Sequence, residues 1–215
     1  MLISQGGGIV QGMVDYFHKG GGMMWLLLTV AILSIVVILE RIFTLFKLRK
    51  NPRKFVSQLI EIIEEEGVGA AKDFCTRDTS VVAKICEAAL EKVGETKEII
   101  EENVARRASS ELGFLDRGML WLASFATIAP LLGFLGTVTG MIRAFQAVAA
   151  AGEVEPTLVA AGISEALITT ATGLLIAAPV ALAHTFFSSR INAFSRDMEE
   201  AANTLIEYLL ESKVK

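Results

Sequence analysis

Residues 118–142 read GMLWLASFATIAPLLGFLGTVTGMI, without a charge between Arg117 and Arg143. A hydrocarbon core about 30 Å thick takes about 20 apolar residues of helix, at about 1.5 Å of rise each. This stretch is long enough to cross. Two others match it. Gly20 to Leu39 is uncharged and ends at Glu40-Arg41, and Ala166 to Ser189 carries only His184 as a titratable group before Arg190. The first is not read as a cleaved leader, because no basic region precedes it and no small-residue cleavage site follows it. Of the 215 residues, 53% are apolar, and the mean hydropathy is +0.52. That is too high for a soluble domain whose apolar residues collect in blocks. Disorder, a collagen-like fibre and a disulfide scaffold are excluded. With 20 Lys+Arg against 24 Asp+Glu, for a net charge of −4, there is no basic excess to meet nucleic acid either. The chain reads as a membrane protein.

Lys and Arg set the orientation, since they resist translocation. Glu40 to Met119 holds 14 of them, and Arg190, Arg196, Lys213 and Lys215 follow the last span. The other side keeps only Lys19 and Arg143, and the loop from Ala149 to Ala161 has Glu153 and Glu155 but no cation. The expected fold class is therefore an all-α membrane protein with three transmembrane helices, N-out and C-in, and long helices extending into a cytoplasmic helical domain. The expected divisions are a periplasmic N-terminal segment over 1–19, a first span over 20–43 and a cytoplasmic helical domain over 44–117. A second span over 118–148, a periplasmic loop over 149–161, a third span over 162–188 and a cytoplasmic C-terminal helix over 189–215 complete it.

Within the cytoplasmic part, Asn51-Pro52 reads as a helix start. Phe55, Val56, Leu59, Ile60, Ile62 and Ile63 give its apolar stripe, stopped by Gly67 and Gly69. Thr79 or Ser80 caps a second helix running to Val93, with Val82, Ile85, Cys86, Ala89 and Leu90 on one side and Gly94 as its stop. A third begins near Thr96, and Ile100, Val104, Ala108, Leu112 and Leu115 keep an apolar row into the second span. No proline interrupts Thr96 to Ala129, so the two are expected to be one rod. Period-2 alternation is missing, so no strands are expected.

Chemistry is sparse. Cys75 and Cys86 lack the spacing and the histidines of a zinc site and read as packing residues of a reducing compartment. Glu61, Glu64-Glu65-Glu66 and Glu101-Glu102 read as solvated helix faces. The glycine runs 6–8 and 20–22 lack the strand and helix that phosphate loops need. No nucleophile stands with its base. An enzyme is not expected, nor a metal or cofactor.

The last two spans differ from the first in composition. The second carries Gly133, Gly136, Thr137 and Gly140, with Gly136 and Gly140 in small-xxx-small register. The third carries Gly162, Ala166, Thr169, Thr170, Thr172, Gly173 and Ala177. The first is bulky all round and is expected to face lipid, while the other two pack closely against helices. Each threonine either bonds back to its own helix carbonyl or faces a polar passage. Thr137 lies about 10 Å and Thr170 about 5 Å from the span centres, toward the outside. Glu165 is the one carboxylate flanked by uncharged helix. It is either solvated at the interface or turned to a polar lumen or a neighbouring helix. Pro130 and Pro179 each remove a backbone hydrogen bond and are expected to bend their helices.

APLLGFLGTVTG at 129–140 and GISEALITTATGL at 162–174 resemble the paired motifs of the MotA/TolQ/ExbB family, with the closer likeness to ExbB and TolQ. Lys19-Gly20-Gly21 before the first span and Glu40-Arg41 after it also fit, and the likeness covers essentially the whole chain. The resemblance implies a subunit of a bacterial inner-membrane motor driven by the proton-motive force. It implies a homopentameric ring around two helices of a single-span ExbD- or TolR-like partner carrying a membrane aspartate. A TonB- or TolA-like protein would lie beyond, with envelope work such as TonB-dependent uptake. By position, Thr137 and Thr170 match the family's pore-lining threonines and Glu165 its third-span glutamate. Thr169 and Thr172, with Thr139, would make the lumen more polar. Gly133, Gly136, Gly140 and Gly173 are the expected packing positions, and Pro130 and Pro179 fall where the family has prolines. Apart from the resemblance, the middle of the three spans offers no titratable group, so a proton carrier must come from a second polypeptide. A self-sufficient ion channel and a passive scaffold for a partner helix are the competing readings.

Overall fold

The structure, a computed structural model, describes residues 4–47 and 51–211; Arg49, Lys50, Lys213 and Lys215, counted above for orientation, lie outside them. Seven helices carry the described residues: α1 Ser4–Lys19, α2 Met23–Lys47, α3 Pro52–Glu66, α4 Val68–Arg77, α5 Val81–Leu90, α6 Lys97–Ala151 and α7 Pro156–Glu211. No strand occurs among them. Helices α2, α6 and α7 are long and apolar enough to cross a membrane. The chain divides into two compact units. One comprises the described residues to Leu39 with Leu120–Thr185, the other Glu40–Met119 with the described residues from Phe186.

The second unit is an ordinary helical core. Asn51 caps α3 through its side-chain oxygen, which accepts from the Arg53 N–H at 3.1 Å, and Pro52 takes the first turn, where its missing N–H costs nothing. Gly67 ends the helix at φ +87°, a conformation a Cβ would disfavour. Gly69 does not act as a stop. Helix α4 begins at once, because Ala71 and Cys75 lie one turn apart and bury completely. Sequence patterning missed this helix. Ser80 caps α5 by accepting from the Ala83 N–H at 3.3 Å, but α5 ends at Leu90 and a turn carries the chain past Val93. Val56, Leu59, Val82, Ile85 and Ile100 pack with Leu205 and Ile206 of α7, and Phe55 stacks on Phe74 at 5.3 Å.

Both thiols are buried here, and burial pushes Cys75 up to about 12 and Cys86 up as well. Thiolate is the reactive form, so both are inert. Where α2 enters this unit, Arg41 is 5% exposed. Its Nη1 donates to the Leu115 carbonyl at 2.7 Å and its Nε to Glu40 at 2.6 Å. Gly118 leaves the room for it, since a Cβ there would run into the guanidinium. A buried cation with its donors engaged holds α2 to α6 at one depth.

The first unit contains α1, most of α2, and the apolar parts of α6 and α7. Helix α2 is exposed over most of its surface, Trp25, Ile32, Ile35 and Val36 included. It is not featureless: Met24, Leu27 and Ser34 are buried, and Met24 and Leu27 cluster with Ile168. The residues expected only to precede this span form α1, whose Phe17 meets Trp25 edge-on at 5.0 Å. Between α6 and α7 the connection is Gly152–Glu155, shorter than the sequence division because both helices continue beyond it. Pro130 and Pro179 sit inside helices that run past them unbroken.

Two outcomes test this packing. Leu205→Ala, which empties a fully buried position, should cost about 2–5 kcal/mol, read as a fall in the thermal midpoint of the detergent-solubilised protein. Cys75 and Cys86 should resist a thiol reagent at neutral pH in the native protein and react fully once it is denatured.

Candidate functional site

The site lies in the first unit, along the seam where α6 meets α7. Helices approach this closely only where one side of each lacks side-chain bulk, and both sequences supply that. A Cβ added at Gly133 would sit 3.0 Å from the Thr169 carbonyl oxygen and 3.1 Å from Thr170 Cα. At Gly140 it would meet the Ala166 nitrogen and the Gly162 oxygen, both at 3.1 Å, and at Gly173 the Ala129 oxygen at 2.6 Å. Backbone therefore lies against backbone for several turns, and the register is fixed.

That register decides where each hydroxyl goes. Thr170 donates across the seam to the Gly133 carbonyl at 3.1 Å. Thr137, one turn along α6 from Gly133, donates to its own Phe134 carbonyl at 2.6 Å and is part-exposed, as is Thr170. Thr139 and Thr172 likewise bond back to Gly136 and Ile168. Thr169 stands apart. It is fully buried, it donates to Ala166 at 2.9 Å, and its side chain fills the space that Gly136 leaves. It is a packing residue within the chain, not one of the exposed hydroxyls, because the seam register turns it toward α6.

Glu165 has a partner that the sequence reading did not name. Arg143 Nη1 donates to its Oε1 at 2.5 Å, and the Glu165 side chain is only 16% exposed against 51% for Arg143. The acid on α7 is thus bonded to the neighbouring helix α6. Gly21, at φ +65° between α1 and α2, seats its backbone on the pair. A Cβ there would strike the Glu165 carboxyl and lie 3.1 Å from Arg143 Nη1. Lys19, Ser164 and Gly162 join the two charged residues around a cleft of about 470 Å³. The signal for the pairing was present in the antiparallel order of the spans: once Gly140 lies level with Gly162 and Ala166, Arg143 falls beside that same turn of α7. Among the described residues no cluster of His, Cys, Asp and Glu is arranged to hold a metal ion.

Over residues 77–200 the chain matches the MotA/TolQ/ExbB proton channel family. It is 32% identical over 168 residues to an ExbB-like biopolymer transport protein of Synechocystis, covering 77% of this chain and 66% of that one. To TolQ of the Tol-Pal system of Haemophilus influenzae it is 40% identical over 87 residues, covering 40% of this chain and 38% of TolQ. To ExbB of Neisseria gonorrhoeae it is 37% identical over 98 residues, covering 46% and 44%. The matched stretches thus span from 38% to 66% of these relatives' own length. In fold, the chain is similar to a solved Campylobacter jejuni MotAB structure, with a TM-score of 0.61 at 19% identity over 97% of this chain and 85% of that one.

The seam predicts an ordering of substitutions. Gly173→Ala, pressed against a backbone oxygen that cannot move aside, should destabilise by about 1–3 kcal/mol. Thr170→Val, which removes the bond across the seam, should cost about 1 kcal/mol. Thr137→Val, whose bond is internal to its helix, should cost least. Thermal unfolding of the three variants in one detergent measures the order.

Proposed function

Because the chain belongs to the MotA/TolQ/ExbB proton channel family, a family of transport proteins and not of enzymes, we propose that it is the stator subunit of a motor driven by the proton-motive force. In this reading five copies form a ring in a bacterial inner membrane, N-out and C-in. The first unit spans the bilayer and the second lies in the cytoplasm. The ring encloses two helices of an ExbD- or TolR-like single-span protein, and passing protons turn that protein against the ring. The work delivered is envelope work such as TonB-dependent uptake, through a TonB- or TolA-like protein. Thr137 and Thr170, with Thr172, line the passage, and Glu165 stands at its outer end. Gly133, Gly136, Gly140 and Gly173 hold the two helices close, and Pro130 and Pro179 are the hinge positions.

One observation carries the reading. The seam helices present hydroxyls at mid-span, yet the uncharged run of α6 and the run of α7 from Ala166 to Ser189 contain no titratable group except His184. A proton crossing about 30 Å of hydrocarbon needs stations. Hydroxyls can solvate and orient a carrier but cannot take up the charge themselves. A carboxylate on a guest helix at the threonine level completes the path. The driving term is about 2.3 kcal/mol per charge per 100 mV, enough for single protons to bias a rotation between nearly equivalent positions.

The native mass of the complex purified from its own membranes should correspond to five copies of this chain and two of a short single-span protein. Thr137→Ala and Thr170→Val should each reduce proton-driven work at least tenfold and leave that mass unchanged. Parent-level work in both variants would remove the threonines from the passage. A ring without a guest helix would overturn the reading as a whole.

A further inference from the structure

The contact between Arg143 and Glu165 carries more than a packing role. Glu165 is the sequestered member of the pair and Arg143 the one that reaches outward, by side-chain exposures of 16% and 51%. The acid therefore does not choose its own direction. Arg143, fixed to the end of the uncharged α6 run, draws one carboxylate oxygen to 2.5 Å, and that oxygen occupies the space a Cβ at Gly21, in the α1–α2 joint, would fill. Lys19 brings a second cation to the cleft and Ser164 a hydroxyl. Any residue but glycine at 21 would push the carboxyl out of this seat, and its φ of +65° disfavours a side chain there as well.

Resting on the pathway proposed above, we infer that Arg143 is the positioning residue of Glu165: it seats the carboxylate at the junction of α1, α6 and α7 and offsets its charge there. The physical need is plain. A lone carboxylate beside a narrow passage in a poorly polarisable medium attracts a cation strongly, and a cation that rests there does not move on. With Arg143 bonded to it, the acid still orients approaching water and charge but does not hold them. Binding and release are then left to the carboxylate of the guest helix. The arrangement has a direction, because the acid is on α7 with its back to Gly21 and the base is on α6. Exchanging the two keeps a pair but moves the carboxylate off its seat.

The test compares Arg143→Lys, Arg143→Gln and the exchange Arg143→Glu/Glu165→Arg in the complex purified with its single-span partner. Native mass reads assembly, and proton flux into vesicles under an imposed potassium diffusion potential reads work. Arg143→Gln should assemble like the parent and lose at least tenfold in flux, while Arg143→Lys stays within about twofold of the parent. The exchange should assemble and remain low in flux. The inference is overturned by parent-level flux in Arg143→Gln or by a loss that only tracks lost assembly. Arg143→Lys as impaired as Arg143→Gln, or an exchange that restores flux, would overturn it equally. Thr137→Ala and Thr170→Val run alongside. If they lose flux and Arg143→Gln does not, this inference alone fails; if they keep full flux, the threonine pathway fails whatever Arg143 does.

Discussion

Backbone-to-backbone contact between α6 and α7 is the constraint on which the first unit depends. In a bilayer, apolar side chains gain nothing by leaving lipid for protein, so close packing of small residues has to hold the helices together. Gly133, Gly136 and Gly140 on one helix and Gly162, Ala166 and Gly173 on the other meet that requirement. Contact at this range leaves no freedom to slide by a residue. Thr169 must fill the space beside Gly136, Thr170 must reach the Gly133 carbonyl, and Arg143 must come level with Glu165. The polar chemistry of the spans follows from the packing and did not need a separate instruction.

The two units solve their stability by different means. The second is held by apolar burial from water, with Leu59, Ile85 and Leu205 fully enclosed, and its ion pairs such as Lys84–Glu111 at 2.9 Å are partly exposed and add little. Its cysteines are buried, and burial disfavours the thiolate of both. In the first unit, α2 remains largely exposed and touches its neighbours along one line that includes Met24, Leu27 and Ser34. A helix so placed can adapt to lipid while the α6–α7 seam keeps its geometry. That separation suits the ring proposed above, whose subunits would pack against a guest helix and the bilayer at once.

The elements set by local physics were legible in the residues. Uncharged runs of span length marked α2, α6 and α7, and the Asn51-Pro52 and Ser80 caps began α3 and α5 where the structure has them. Helix α4 was missed because Gly69 looked like a stop, and a single glycine in a short helix costs only about 1 kcal/mol, which burial of Ala71 and Cys75 overrides. Helix α1 was missed because glycines 6–8 argue against a helix by propensity alone.

The amino-acid order by itself determined that three helices are long and apolar enough to cross a membrane, that two of them are rich in small residues, and that their uncharged runs hold no titratable group at the middle. These follow from length, charge and side-chain volume, which are properties of single segments. Only the tertiary structure decided that Thr169 is enclosed while Thr170 bonds across to Gly133, that Arg41 is buried against Leu115 and Gly118, and that Glu165 is held by Arg143 above Gly21. Each of those is a relation between residues far apart in the chain. Its sign depends on a register of a few ångströms, which no single helix contains.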